Sequence, residues 1–498
     1  MNMRVWAACL GSAMGGVTLA LLLARGYPSA DPLDRLYGAL FLALFGCALF
    51  VVLFTGCWSL AGDSFTLWWN GVTMSGEQRP LAQLLDDAKA YGEDGAAPYV
   101  MLPSARYPVI RFCRAPDDCA LALSAVSGRL VSLTAPTTLL VTLHKNLFLG
   151  FPGRVFLSLF GIAFALLLIS GIALHGRRLR QLLQLRRRQG LRVLLFDLHN
   201  LLGLWCYPWL VMFALTGALS GLGALGTVLL ADRVSPGAPQ RVMAQLMGGA
   251  QPAPPLPDAG RTLAQTMAAL RRQAPEFTPQ TLQRAPDGAL LAVGGVTRGI
   301  PSSALFEQFR FGSGEQPALM RRSAAHQGPW TRAFIAVQPL HYGQYAWLPR
   351  AAAAVSALHF LAGFGAATLA LSGLGLWCLR QPQRRAARFI TGVCCGLTVA
   401  GSLLLAARPL AAFPAAWLFW GMWGAVALLA WRVWPGWLLF LSGMASGTAL
   451  LVAALGHMLS AGPGLYWLDS ALLLVSAALF AAGSLLWQSR GAWPRQLE

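Results

Sequence analysis

The sequence predicts an all-α polytopic membrane protein of about nine transmembrane helices, with small α+β modules outside the bilayer. Of its 498 residues, 56% are hydrophobic and only 11% are charged, which is too little polar surface for a soluble protein of this length. A spanning helix needs roughly 20 apolar residues, and nine runs fit that length. Two polar stretches, 61–150 and 231–350, separate some of these runs and are long enough to fold into modules.

The predicted spans follow one another at short intervals apart from those two stretches. They are 3–24, 37–60, 154–175, 195–230, 351–378, 389–407, 413–431, 435–459 and 466–487. The first lacks a strongly basic start and a convincing Ala-x-Ala cleavage site, so we interpret it as a retained helix, with a cleaved leader as the alternative. The chain then divides into an extra N-terminal helix, a first core helix, a first module, a core hairpin, a second module, a last core helix and four additional helices: 1–32, 33–60, 61–150, 151–230, 231–350, 351–388 and 389–498.

Arginine-rich turns predict the orientation of these helices. The net charge of +19 is concentrated in short turns between apolar runs, which is typical of topology signals and not of a nucleic-acid surface. Two turns carry most of it: Arg177, Arg178, Arg180, Arg186, Arg187, Arg188 and Arg192, then Arg380, Arg384, Arg385 and Arg388. If both turns are cytoplasmic, the C-terminus is cytoplasmic, whereas the N-terminus and both modules lie outside. The expected partner is the lipid bilayer, with no nucleic acid.

The two modules are predicted to be small and mixed. In the first, "PLAQLLDDAKAY" has helical spacing, whereas "YPVIRFC", "CALALSAV" and "SGRLVSL" read as strands. A Pro-Asp-Asp turn separates Cys113 from Cys119, which predicts a hairpin disulfide in an oxidising compartment. The second module begins with a proline-rich linker. It continues with a helix near "RTLAQTMAALRRQ" and short strands near "GALLAVGGV" and "SALFEQFRF".

A Thr/Ser-Gly pair recurs near one end of four apolar runs. Such small residues let a neighbouring helix, or a flat cofactor, approach the backbone closely. Helix packing alone explains any one pair, whereas four pairs indicate one bundle of related hairpins. The pairs are Thr55-Gly56, Ser170-Gly171, Thr216-Gly217 and Ser372-Gly373.

Four of the seven histidines lie at the ends of predicted spans. His175 ends the third run and His199 opens the fourth, while His144 precedes the third run and His341 precedes the fifth. Because Phe156, near the start of the third run, is 19 residues and about 28 Å of helical rise from His175, these residues form one pair at each membrane face. A neutral imidazole is a good axial haem ligand, and a helical bundle can hold a porphyrin. The simpler alternative for each is an interfacial or capping histidine.

The remaining histidines and Asp197 are weaker candidates for a functional role. His359, within the fifth run, is a further candidate for the outer site, and it competes there with His341. We interpret His326 as a surface residue and His457 as an interfacial one. Asp197 either caps its helix or accepts a hydrogen bond from His199, and we favour the cap. Metal transport is disfavoured because the apolar runs contain almost no Asp or Glu.

Several stretches of the chain resemble one family. They read "LHKNLFLGFPGRVFLSLFGIAFALLLISGIALHGRRL", "FDLHNLLGLWCYPWLVMFALTGAL", "PLHYGQY" and "LALSGLGLWCLRQ". Over about 33–385, the chain resembles the PepSY-associated transmembrane helix family of bacterial inner-membrane proteins, and "LALSAVSGRLVSL" resembles a PepSY domain. The family commonly has a histidine at the cytoplasmic start of its first core helix, where this chain reads "DRLYGALFLALFG" with Tyr37 nearby.

The resemblance implies a function for the histidines. The family includes haem-containing siderophore reductases, so His144, His175, His199 and His341 are implied to ligate the iron of two haem b groups, with His359 as a further candidate. It also implies an inner-membrane oxidoreductase that passes electrons from quinol or a cytoplasmic reductase to a ferric siderophore in the periplasm. Two alternatives stay open: a non-enzymatic protein that binds or regulates a periplasmic partner, and a siderophore or metal-chelate permease.

Overall fold

A computed structural model of the chain shows a helical membrane protein with one antiparallel sheet. The described residues are 32–73, 76–93, 97–104, 106–115, 118–175, 184–186, 189–236, 263–284, 290–296, 307–311, 320–322, 329–345, 348, 351–380, 384–406, 414–460 and 466–488. The predicted first span, His326 and most of the first arginine-rich turn lie outside them. Among the described residues, seven helices are long and apolar enough to cross a membrane.

The described residues form fourteen helices and seven strands, which are numbered here in chain order. The helices are α1 (Pro32–Leu60), α2 (Gly62–Trp69), α3 (Leu81–Lys89), α4 (Thr138–Asn146), α5 (Gly150–His175), α6 (Leu191–Trp205), α7 (Tyr207–Val234), α8 (Leu263–Gln273), α9 (Pro329–Tyr342), α10 (Ala352–Cys378), α11 (Arg384–Ala406), α12 (Ala415–Leu429), α13 (Pro435–Ser460) and α14 (Tyr466–Gln488). The strands are β1 (Tyr99–Met101), β2 (Val109–Ala115), β3 (Asp118–Ser124), β4 (Phe277–Arg284), β5 (Leu290–Val296), β6 (Glu307–Phe311) and β7 (Met320–Arg322).

Both polar stretches contribute to a single seven-stranded sheet. Its order is β3-β2-β1-β4-β5-β6-β7, so the short strand β1 of the first stretch pairs with β4 of the second, with Val100 opposite Leu282. Helices α3 and α8 cover the sheet with buried Leu84 and Leu270. The sheet marks one side of the helical bundle, which we call the sheet side, and the other side is called the opposite side.

Several expectations for the modules are confirmed. The predicted helices correspond to α3 and α8, and four predicted strands correspond to β2, β3, β5 and β6. Cys113 and Cys119 form the predicted disulfide across the β2–β3 hairpin. The strand expected in "SGRLVSL" is reduced to one isolated bridge between Leu123 and Leu130, because Leu130 is largely exposed and gains little from pairing.

Two predicted spans differ from the helices observed. The span predicted over 195–230 is divided at Cys206 into α6 and α7, with Pro208 in the first turn of α7. Proline has no backbone N–H and therefore cannot continue the hydrogen-bond ladder of α6. The span predicted over 413–431 is the 15-residue helix α12. At 1.5 Å per residue it is about 22 Å long, short of the ~30 Å hydrocarbon core.

The core of the bundle is formed by α1, α5, α7 and α10. Helix α1 packs along α10, and α5 packs along α7. An aromatic cluster joins the sheet-side ends of α1 and α10, where Trp58 contacts both Phe65 and Phe360. The four additional helices pack against this core through α11 on α1 and α14 on α10. All the helices that carry candidate histidines therefore belong to one packed body.

Candidate functional site

Two short helices that the sequence analysis missed position the sheet-side histidines. His144 lies in the last turn of α4, which packs on α1, and His341 lies in the last turn of α9, which packs on α7. Each helix ends in a left-handed residue, Leu147 after α4 and Gly343 after α9. The chain then turns back into the membrane as α5 or α10. Two equivalent hairpins thus bring their histidines to the same place.

His144 and His341 face each other on the sheet side. Their ring centroids are 6.1 Å apart and their planes are inclined by 19°. His144 Nδ1 is 2.9 Å from the carbonyl oxygen of Val52 on α1. Because a carbonyl only accepts hydrogen bonds, Nδ1 carries the proton and Nε2 carries the free lone pair.

His341 is held in the same tautomer by Thr216. Its Nδ1 lies 2.8 Å from Thr216 Oγ1. The hydroxyl proton of Thr216 is donated to the carbonyl of Met212, so Thr216 accepts a hydrogen bond from His341 Nδ1. Burial, followed by the proximity of His144 and His359, lowers the pKa of His341 to about 3. Burial also lowers the pKa of His144, and both imidazoles are therefore neutral at physiological pH.

His359 lies beside this pair but differs in its contacts. It is buried, and its Nδ1 bonds the carbonyl of Val355 one turn earlier in α10. Its Nε2 is buried without a hydrogen-bond partner among the described residues. The ring of Phe213 contacts both His341 and His359, with centroids 5.9 Å apart in each case. The structure thus brings three of the five candidate histidines together.

His199 lies on the opposite side of the bundle, in the middle of α6. Its Nδ1 is 3.0 Å from Ser372 Oγ and 3.1 Å from the carbonyl of Leu369, both on α10. Ser372 donates its own proton to Leu369, so His199 Nδ1 is again the donor. His175 is the last residue of α5, and its side chain lies outside the described part of the chain.

Three of the four Thr/Ser-Gly pairs lie against a histidine. A Cβ added to Gly56 would be 2.8 Å from His144 Cε1, and one added to Gly373 would be 3.2 Å from His199 Cε1. Gly217 lies against His341, with a corresponding distance of 3.7 Å. By contrast, no atom of the described residues lies within 4 Å of a Cβ added to Gly171. The repeated pair therefore makes space for imidazole rings in three helices.

Two expectations about polar residues were wrong. Asp197 does not cap α6, whose N-cap is Gly190 without a side-chain hydrogen bond. Instead, Asp197 is buried and accepts hydrogen bonds from the backbone and guanidinium of Arg186, which satisfies a carboxylate that burial would otherwise destabilise. His457 is not interfacial.

His457 is 5% exposed and pairs with Asp469, which is 2% exposed. The Nδ1 of His457 is 3.0 Å from Asp469 Oδ2, and the indole of Trp68 donates to Asp469 Oδ1 at 2.8 Å. The rings of Trp68 and His457 stack with centroids 4.7 Å apart. One sequence signal was available: Asp469 is the only acidic residue between 381 and 497.

The part of the chain that carries the candidate histidines also matches known proteins. Residues 36–380 match the PepSY-associated TM region family. The chain is also 44% identical over 344 residues to the uncharacterized protein PA4219 of Pseudomonas aeruginosa, an alignment that covers 64% of this chain and 86% of that protein. The matched region begins near the start of α1, continues through α10 and ends before α11. On these findings, the chain belongs to the family of proteins with a PepSY-associated transmembrane region.

Proposed function

We propose that this protein is an inner-membrane b-type haem protein that passes electrons across the bilayer to an acceptor on the sheet side. Under this proposal the sheet side is periplasmic, and the acceptor is a ferric siderophore whose iron is released on reduction. The observation that carries the proposal is the shared hydrogen-bonding of His144, His199 and His341. Each donates Nδ1–H to a fixed acceptor on another helix, and in the neutral form of that tautomer the lone pair is on Nε2.

The donor set fits haem iron on the sheet side. Axial histidines usually donate their second ring nitrogen to a carbonyl or a hydroxyl, which fixes the tautomer and raises ligand basicity. His144 and His341, whose ring centroids are 6.1 Å apart, would hold this iron. Gly56 and Gly217 supply backbone without side chains next to these rings.

When bound, haem supplies one-electron chemistry at a potential that its axial ligands and their surroundings adjust. The chain's own contribution is to hold the imidazoles neutral, to orient them and to exclude water. The hydrogen bond from His144 to Val52 increases electron donation from Nε2, which favours the oxidised state of a metal. The apolar residues of α1, α7 and α10 provide the low dielectric.

The opposite side supplies a second position for the electron path. Ser372, which contacts His199, is 13 residues from His359 along the continuous helix α10, about 20 Å at 1.5 Å per residue. This rise is about two thirds of the ~30 Å thickness of the hydrocarbon core. His175, at the end of α5, is on the same side as His199. We propose that His175 and His199 would hold a second haem, on the side of the bundle where quinol or a cytoplasmic reductase would donate electrons.

The test is a haem count on the full-length protein purified from haem-replete cells. Oxidised and dithionite-reduced spectra with a pyridine haemochrome assay are compared for wild type, His144→Ala, His199→Ala and Lys145→Ala. We expect two b haems per chain in wild type, one in each histidine variant and two in Lys145→Ala, whose exposed side chain adjoins His144. A wild-type protein without haem would contradict the proposal.

A second function is favoured by one observation in the additional helices. The buried pair of His457 and Asp469 lies within two apolar helices of spanning length. Ionisable residues in such helices are costly and often mark a transport path, so we also consider a chelate permease. Cells that carry Asp469→Asn would then lose uptake of iron-55 chelate, although the purified variant retains its haem. Unchanged uptake would exclude this role.

A further inference from the structure

An arginine of the sheet module reaches the sheet-side histidines. Arg106 lies in the loop between β1 and β2, and its Nη1 donates to the carbonyl of Gly343 at 3.2 Å. Gly343 has a φ of +64°, and a Cβ added to it would be 2.8 Å from the ring of His359. The guanidinium of Arg106 is thus separated from the histidine cluster by a single peptide unit. It forms part of the cover over the proposed haem site.

Arg111 extends this cover with a second cation. Its guanidinium carbon lies 4.7 Å from the ring centroid of Tyr107, and Tyr107 follows Arg106 in the chain. Burial is the largest cause that raises the pKa of Tyr107, so its phenol remains neutral and can donate a hydrogen bond. The exposed carboxylate of Asp63 is within electrostatic range of Arg106 and Tyr107. This cover therefore holds two cations and one anion.

Both arginines keep a donor that no described residue satisfies. The Nε atoms of Arg106 and Arg111 are buried and have no hydrogen-bond partner in the described part of the chain. A buried donor without a partner costs about 1–3 kcal/mol, and buried charges are normally paired. Guanidinium groups match carboxylates in shape and charge, and such bonds are among the strongest in proteins.

We propose that Arg106 and Arg111 bind the carboxylate groups of the ligand held at the sheet-side histidines. This inference rests on the proposed function for the identity of that ligand. Two ligands bring suitable carboxylates: haem, through its propionates, and an anionic Fe(III) chelate that accepts the electron. Either would supply acceptors for the two Nε–H groups and would offset the positive charge of Arg106 next to His359.

Arg106→Gln tests the proposal in the full-length, haem-loaded protein in nanodiscs. The measurements are the reduction potentials of the haems and the rate of haem transfer to apomyoglobin. If propionates are bound, we expect Arg106→Gln to lower the potential of the sheet-side haem, because a nearby cation favours the reduced state. Haem loss should accelerate by about tenfold or more, as expected for a bond to a charged group. Arg106→Lys should fall between wild type and Arg106→Gln.

Arg129→Gln is the matched control, since Arg129 is an exposed arginine of the same module. Binding of Fe(III)–citrate to the same proteins distinguishes the two sources of carboxylate. Unchanged haem properties together with at least tenfold weaker Fe(III)–citrate binding in Arg106→Gln would assign the arginines to the chelate.

If Arg106→Gln and Arg111→Gln both match Arg129→Gln in haem retention, potential and citrate binding, the inference is overturned. A wild-type protein without haem would contradict the proposed function alone. The citrate measurement then decides the role of the arginines, because it needs no haem: weaker binding in Arg106→Gln supports carboxylate recognition, and unchanged binding excludes it.

Discussion

At the residue scale, Gly56 tests whether the Thr/Ser-Gly pairs serve the histidines. In Gly56→Ala the new methyl group would meet His144 Cε1 at 2.8 Å, too close for an ordinary contact, and would push the ring away from Val52. We expect this variant to bind one haem fewer per chain, as measured by the pyridine haemochrome assay. Gly171→Ala is the control because no described atom lies within 4 Å of its new Cβ. Equal haem content in the two variants would show that Gly56 is needed only for packing.

Thr216 gives a second test at this scale, directed at the tautomer of His341. Thr216→Val keeps the shape of the side chain but removes the oxygen that accepts from Nδ1. Loss of such an outer hydrogen bond typically weakens metal binding by 10–100-fold, so we expect at least tenfold faster haem transfer to apomyoglobin. Thr227→Val, also on α7, removes a hydroxyl that donates to the carbonyl of Gly223 within the same helix. We therefore expect haem transfer to be at least tenfold faster from Thr216→Val than from Thr227→Val.

At the element scale, Asp469 connects the additional helices to the family core. It accepts hydrogen bonds from Trp68 on α2 and from His457 on α13. In Asp469→Asn a single amide oxygen replaces the two carboxylate oxygens, and one buried donor loses its partner at a cost of about 1–3 kcal/mol. We expect a lower midpoint of thermal unfolding, measured by tryptophan fluorescence in detergent. Asp232→Asn, at an exposed position of α7, should unfold like wild type.

The same scale shows how far the sequence predicts the fold. Long apolar runs predict α1, α5, α10, α11, α13 and α14, since hydrophobic length is a strong local signal. The helices α4 and α9 were missed because each is short and mixed in polarity, and tertiary packing on α1 and α7 stabilises them. A search for apolar runs as long as a membrane span therefore does not detect such helices.

The candidate site was predicted in part. Position along the chain was enough to place His144 and His341 on one side and His199 on the other, because the order of spans determines the membrane face. Position along the chain could not predict that Val52 and Thr216 accept hydrogen bonds from His144 and His341. These contacts join residues that are 92 and 125 positions apart in the sequence. The buried pair of His457 and Asp469 was missed because a lone histidine at a helix end looks interfacial.

At the scale of the whole molecule, the orientation in the membrane can be measured directly. Ser127, exposed beside the sheet, and Arg432, exposed in the turn between α12 and α13, lie on opposite sides in the predicted topology. With a membrane-impermeant maleimide on spheroplasts, we expect Ser127→Cys to be labelled and Arg432→Cys to be labelled only after permeabilisation. The unmodified chain is the control, since its free cysteines among the described residues are buried or half-buried. The reverse pattern would place the sheet in the cytoplasm.

The pairing of β1 with β4 has a consequence for the synthesis of the protein. The strands come from segments that are separated by the α5 to α7 hairpin, and Val100 pairs with Leu282. A nascent chain that has released β1 to β3 therefore exposes an unpaired strand edge until 158 further residues, from 124 to 282, have followed. Edges of this kind attract proteases, chaperones and other strands. Pairing of β1 with β4 therefore follows the synthesis of α5 to α7 and can precede the synthesis of α10 to α14.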